Sequence, residues 1–282
     1  MQLKQTLMSA VDRLESSDVG SPRMNAEVLL MFVLGVNRAY LYAHPERKLT
    51  AEEESRYDEV LARRATGMPS QYITGHQEFW GVDFVVSPAV LIPRPETEHL
   101  VETVLELARA IPQPKIVDVG TGSGCIALAL AHELKWAEVY AVDLSAEALE
   151  IAHANAMRLQ LDRRVRFLRS NVLEALVDAS GFDFVVSNPP YVAFDEADKV
   201  QKSVRDFEPR MAVFAGDQGL DVIGPLVQQA HTVLKPDGWL AVEIGYSMGD
   251  AVLNLLSPTM WDDVRVVPDL QGIPRAVAAR KI

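Results

Sequence analysis

The chain has 282 residues, 49% apolar and 23% charged, which is the composition of a folded globular protein of one or two domains and excludes extended disorder. The longest apolar run, residues 28–36, cannot span a bilayer, Met1-Gln2-Leu3-Lys4-Gln5 has no secretory apolar core, and Cys125 is the only cysteine, so we expect a cytoplasmic protein without disulfide or metal. Formal net charge is -12; residues 1–75 hold 9 basic and 10 acidic residues and the rest 18 against 29, the opposite of a nucleic-acid binder's footprint.

Leu3, Leu7, Val11 and Leu14 recur at helical spacing, which predicts an amphipathic first helix. Ser21-Pro22 reads as a cap and first turn of a second helix ending near Gly35, and Thr50-Ala51-Glu52-Glu53 as a capping box whose helix ends near Gly67. We therefore expect a small helical domain over 1–75. It carries no residue suited to chemistry, and we read it as the part that selects a partner.

Residues 76–90 read as a hairpin connector, with apolar alternation around Gly81. Leu91-Ile92-Pro93-Arg94-Pro95-Glu96-Thr97-Glu98 then opens a helix running to Ala110, either as a plain helix entrance or as a loop presenting Arg94 to substrate. From Ile116 strand and helix patterns alternate, the mark of an α/β domain with a parallel sheet covered on both faces. Strands are expected near 115–119, 138–143, 165–169, 182–187, 238–244, 263–268 and 275–281, giving a seven-stranded Rossmann-like sheet over 91–282 that ends in an antiparallel hairpin. The arginines at 158, 163, 164, 166 and 169 read as a solvated helix end and strand edge.

Asp118-Val119-Gly120-Thr121-Gly122-Ser123-Gly124 follows the first of these strands and opens a helix, so backbone can approach a ligand and helix N–H groups face it. The glycines run GxGxG rather than GxGxxG, which weakens a dinucleotide reading. They suit S-adenosylmethionine, whose carboxylate can meet the helix N-terminus while Asp118 sits near its ammonium. Asp143 ends the second strand at the distance expected of a ribose-binding carboxylate. Asn171 and Val172, at the third strand end, are candidates for an amide contact and an apolar wall at adenine.

After the apolar run 182–187 comes Asn188-Pro189-Pro190-Tyr191. Two prolines end the strand abruptly and leave a stiff loop rich in acceptors. An Asn oxygen, a neighbouring carbonyl and a Tyr ring suit a planar group bearing NH2, and holding both of its hydrogens favours lone-pair localisation on a poorly nucleophilic nitrogen. That pattern points to methyl transfer onto a conjugated nitrogen. None of the six histidines falls in these motifs, so we expect no side-chain base and a level rate from about pH 6.5 to 9.

With these motifs in order, the chain resembles class I S-adenosylmethionine-dependent amino-methyltransferases, a group that includes enzymes acting on adenine or guanine in nucleic acids. Nearly its whole length is similar to the HemK/PrmC family of glutamine methyltransferases that modify the GGQ loop of peptide chain release factors. The further matches are the helical N-terminal region, Gln77-Glu78-Phe79-Trp80-Gly81, Phe207-Glu208-Pro209 and Asp269-Leu270-Gln271-Gly272, and Pro95-Glu96-Thr97-Glu98 favours this branch over the sister enzymes of a ribosomal protein. The resemblance implies that Asn188 and the Pro189 carbonyl accept the glutamine amide hydrogens, that Tyr191 packs on the amide, and that Gly120–Gly124 with Asp143 hold the cofactor. Asn171 departs from the acidic residue common in the family at that position.

Overall fold

Helix-forming sequence comes first. Leu3, Ala10 and Leu14 of α1 (Leu3–Ser16) and Leu29, Leu30 and Val33 of α2 (Pro22–Leu34) are buried together, with Tyr57, Val60 and Leu61 of α4 (Ala51–Ala65). The short α3 (Arg38–Ala43) and α5 (Ser70–Thr74), unexpected from periodicity, add Leu41 and Ile73. In this computed structural model, which describes residues 1–179, 181–269 and 271–282, residues 1–76 and 201–207 form one compact unit. The capping box is formed: Glu53 N–H donates to Thr50 Oγ1 (3.2 Å) and Thr50 N–H to Glu53 Oε2 (2.9 Å). Ser21 stands at the N-cap of α2 without a side-chain cap bond, because its backbone is left-handed (φ 50°); Asn25 Nδ2 instead donates to the Gly20 and Ser21 carbonyls.

Residues 77–200 and 208–282 form the second unit. The hairpin of β1 (His76–Phe79) with β2 (Val82–Val85) belongs to that unit from residue 77 onward, and Phe79 and Phe84 are buried in its core. After α6 (Glu98–Leu107) come β3 (Lys115–Val119), α7 (Cys125–Glu133), β4 (Glu138–Asp143), α8 (Ala146–Arg158), β5 (Val165–Arg169) and β6 (Phe182–Ser187). Two short helices follow, α9 (Lys202–Phe207), which belongs to the first unit, and α10 (Arg210–Val213). The chain closes with α11 (Ile223–Val233), β7 (Leu234–Glu243), α12 (Gly249–Leu253), β8 (Trp261–Pro268) and β9 (Pro274–Lys281).

The seven-stranded sheet has the order β5-β4-β3-β6-β7-β9-β8, parallel from β5 to β7, with β9 antiparallel to both neighbours. Successive residues of a strand face opposite ways, and the core divides accordingly. Ile116, Phe184 and Val186 pack beneath α6 and α7, whereas Val117, Val119 and Val185 pack beneath α11; Phe182, ahead of a register shift in β6, joins the second side out of alternation. β7 begins four residues earlier than the sequence suggested, because Leu234 already pairs with Phe182 and the register shifts before Phe184 resumes with Trp239. The chain leaves β3 toward β4 on one side, and β6 lies on the other. Ligands of open parallel sheets bind at such a reversal, outside the carboxyl ends of the strands.

Candidate active site

A cavity of about 380 Å3 opens at this reversal, lined by the loops after β3, β4, β5 and β6. Gly120, Gly122 and Gly124 all have positive φ, so the turn from β3 into α7 needs a backbone that side-chain-bearing residues resist. Gly124 has a second reason: a Cβ there would lie 3.1 Å from both Ala152 Cβ and Leu128 Cδ1, which would push α8 off the loop. Val142 O accepts from the N–H groups of Gly120 (2.9 Å) and Thr121 (3.0 Å), tying the loop to the end of β4. Asn155 braces it from α8, donating from Nδ2 to Ser123 O and to Val85 O of the hairpin.

Asp118 lies beneath this loop and does not line the cavity, and neither does Gly124. Asp118 Oδ2 accepts from Thr121 Oγ1 (2.6 Å) and from Ala127 N–H (3.2 Å) in the first turn of α7, while Oδ1 is buried without a hydrogen-bond partner among the described residues. Burial pushes its carboxyl up to about 7, against the pull of those two donors. A carboxylate left half-satisfied under a cavity of this kind suits a cationic group nearby.

Gly120, Thr121, Gly122, Ser123 and Asp143 are in the cavity wall. Asp143 accepts from Gly122 N–H through Oδ2 and from Ser145 N–H through Oδ1, both 2.9 Å, and burial raises its pKa. Each oxygen retains a lone pair for a hydroxyl donor. The cap of α8 is Ser145, whose side chain accepts from Ala148 N–H, so Asp143 is not occupied with that task. Asn171 and Val172 also line the cavity; Asn171 Nδ2 donates to Glu174 Oε1 (2.7 Å), and Val172 is held at φ 51°.

At the end of β6 the Ser187 hydroxyl donates to Val119 O (2.7 Å), locking the two central strand ends together just before Asn188. Asn188, Pro189 and Pro190 line the cavity. Asn188 Nδ2 donates to Thr97 Oγ1 (3.0 Å), and Thr97 donates in turn to Glu243 Oε2 (2.6 Å). Tyr191 is not in the cavity wall; its ring packs with the core beneath α11, and burial pushes its hydroxyl up to about 12, so it stays protonated. The chain after it is paired through Val192 to residues 213–215, and a Cβ on Gly219 would lie 2.2 Å from Tyr191 O. The Asn-Pro-Pro-Tyr loop is thus clasped from both sides.

Arg94, the substrate candidate, does not line the cavity: its Nη2 donates to buried Glu208 Oε1 (2.5 Å), whose Oε2 accepts from Ile92 N–H. Two motifs read separately from the sequence, Leu91–Glu98 and Phe207–Pro209, are joined by this ion pair. Four of the five clustered arginines also have internal partners. Arg158 pairs with Asp83, Arg164 donates to the Ala131 and Leu134 carbonyls, Arg166 pairs with Glu138, and Arg169 donates to Leu144 O. Asp269 organises the turn between β8 and β9, accepting from Gln271 and Ile273 N–H and from Arg275 Nε, while Leu270 of that motif lies outside the described residues.

Sequence reasoning missed Glu243 and gave Thr97 no role. A carboxylate ending the apolar run of β7 was the available signal, since an ionisable group in a buried strand requires a partner. Nothing local pointed to Asn155.

A PrmC N-terminal domain model matches residues 5–75, and a methyltransferase small domain model matches residues 96–206. Among solved structures, the hMettl16 catalytic domain in complex with MAT2A 3'UTR hairpin 6 superposes with a TM-score of 0.58 at 18% identity, covering 79% of this chain and 81% of that one. A methyltransferase from Pyrococcus furiosus gives 0.51 at 17% identity, covering 80% and 98%. At such identities the likeness concerns the fold alone, and the fold is that of a Rossmann-like methyltransferase. Release factor glutamine methyltransferase of Koribacter versatilis is 57% identical over 281 residues, covering 100% of this chain and 99% of its own length. The proteins of the same name from Nitratidesulfovibrio vulgaris and Salmonella typhimurium are 41% and 40% identical, with 99% of this chain covered by each and 95% and 99% of their own lengths. The chain belongs to the family of release factor glutamine methyltransferases.

Proposed function

We propose that this protein uses S-adenosylmethionine to methylate the side-chain amide nitrogen of the glutamine in the GGQ motif of peptide chain release factors. The observation that carries the reading is the pair of acceptors after β6. Asn188 has its Nδ2 engaged by Thr97, which leaves Oδ1 as an acceptor on a cavity-lining residue, and the Pro189 carbonyl beside it takes no backbone hydrogen bond among the described residues. Pro190 offers no N–H to compete for either.

Two adjacent acceptors match the two hydrogens of a primary amide. Binding both favours lone-pair localisation on nitrogen and holds that nitrogen in one place, and positioning of this kind supplies a large share of many barriers. S-adenosylmethionine, when bound, supplies an electrophilic methyl group. The cavity size lies within the range of small-molecule sites, and its polar groups suit that cofactor. The residues to hold it are Gly120–Ser123, whose glycine-rich backbone lets the cofactor approach closely, Asp143 at the ribose hydroxyls, and Asn171 with Val172 at the adenine. Asp118 acts from below, on the cationic end.

The choice of release-factor glutamine rests on the full-length similarity to relatives of that name. The helical unit, which holds no chemical residue, is the part we assign to recognising the partner, and such a partner places the reaction in the cytoplasm. No helix among the described residues is long and apolar enough to cross a membrane. Incubating the purified chain with tritiated S-adenosylmethionine and, separately, release factor, DNA and RNA tests the assignment. Label in release factor alone is the expected result; label in nucleic acid with none in release factor overturns it.

A further inference from the structure

We infer that Thr97 and Glu243 form a positioning relay that fixes which way the Asn188 amide points, keeping its oxygen, not its nitrogen, available to the substrate amide. This deepens the methyl-transfer reading and rests on it. The three residues come from distant parts of the chain: Thr97 from the turn before α6, Asn188 from the end of β6, and Glu243 from the end of β7. The sheet register brings the last two together, since Ser187 lies opposite Val242. Thr97 and Glu243 are 1% and 4% exposed, and only Thr97 and Asn188 reach the cavity wall.

Orientation follows from counting protons. An ionised carboxylate only accepts, so the single Thr97 hydroxyl proton is committed to Glu243 Oε2, 2.6 Å away. Thr97 Oγ1 then has only lone pairs to offer Asn188, and at 3.0 Å these select Nδ2. A flipped amide would set oxygen against oxygen there and turn N–H groups toward the N–H groups of the substrate. Holding Asn188 in the productive flip therefore costs nothing at the moment of reaction.

The state of Glu243 controls this. A protonated Glu243 can donate to Thr97, which frees the Thr97 proton for Asn188 Oδ1 and permits the unproductive flip. Around Glu243 stand Thr97 and Glu96 in the turn before α6, Arg94 in the preceding loop, Tyr191 after β6, Arg275 on β9 and Cys125 on α7. Burial dominates over these and pushes the carboxyl up to about 7, with Thr97, Arg275 and Arg94 pulling the other way. The relay should loosen as the pH falls through this region, although no member of it exchanges a proton with substrate.

The test uses the full chain with release factor. Thr97→Val removes both bonds at nearly constant shape, and a mis-set Asn188 should lower kcat about 10- to 100-fold while KM for release factor and Kd for S-adenosylmethionine stay within about twofold. Thr97→Ser should recover most of kcat. Wild-type kcat should fall between pH 8 and 6, and Glu243→Gln, which lacks the acceptor-only carboxylate, should give a lowered kcat with that limb absent. Thr97→Val with unchanged kcat overturns the relay; should that variant not fold, Glu243→Gln with wild-type kcat and an unchanged acid limb overturns it instead. If wild type itself methylates no release factor, the functional reading falls, a result distinct from an active wild type with an indifferent Thr97.

Discussion

Glu243→Gln also has a consequence for stability. Burial raises the Glu243 carboxyl from an ordinary 4.5 to about 7, so the folded protein holds this proton over a range where the unfolded chain has lost it. The stability linked to that proton is complete below about pH 4.5 and is lost as pH rises through about 7. Over a gap of this size the loss is about 3 kcal/mol at 1.36 kcal/mol per pH unit, an upper figure because water penetration and relaxation reduce it. Glutamine keeps the shape and a hydrogen-bonding group for Thr97 without the titration. At pH 8.5 the variant should therefore be the more stable by about 1–3 kcal/mol, roughly 2–10 °C in Tm for a unit of this size. At pH 4.5 the difference should vanish. Asp118 shifts in the same direction, so only the difference between variant and wild type isolates Glu243. Urea titrations of both proteins without cofactor, at half-unit intervals from pH 4.5 to 8.5, measure it. A difference that does not change with pH, or a wild type that gains on the variant as pH rises, would refute the reasoning.

Other expectations follow from the site. Asn188→Ala removes a preorganised acceptor and should lower turnover about 100- to 1,000-fold with little change in cofactor affinity; near-wild-type turnover excludes the assigned role. Asp143→Ala should weaken S-adenosylmethionine by about 1–3 kcal/mol, since hydroxyls would be buried without an acceptor, and unchanged affinity by calorimetry would leave Asp143 as a brace for Gly122 and Ser145 only. A chain beginning at His76 should retain cofactor binding and methylate release factor poorly. A folded truncation working at the full-length rate would show that the helical unit selects nothing.

What the sequence made legible was what repeats locally or sits at a strand end. Strands β3, β4 and β6 are short, mostly apolar runs, and the glycines, Asp143 and Asn188 stand at or just after their ends because parallel strands deliver their carboxyl ends to one edge. Helices α3 and α5 are 6 and 5 residues long, too short to show a period. Contacts set by register rather than pattern were hidden. Asn188 and Thr97 are 91 residues apart, Arg94 and Glu208 are 114, and Thr97 and Glu243 are 146. The expectation of a level rate across neutral pH came from looking for histidines near the motif. The relay proposed for Glu243 predicts an acid limb in its place, through a carboxyl raised chiefly by burial.

The central claim is the identity of the methylated atom. Release factor treated with the protein and S-adenosylmethionine, then digested and sequenced by tandem mass spectrometry, should carry one added methyl, on the side chain of the GGQ glutamine, and a release factor with glutamate at that position should carry none. A methyl on any other residue, or one that persists when the glutamine is replaced, would contradict the account.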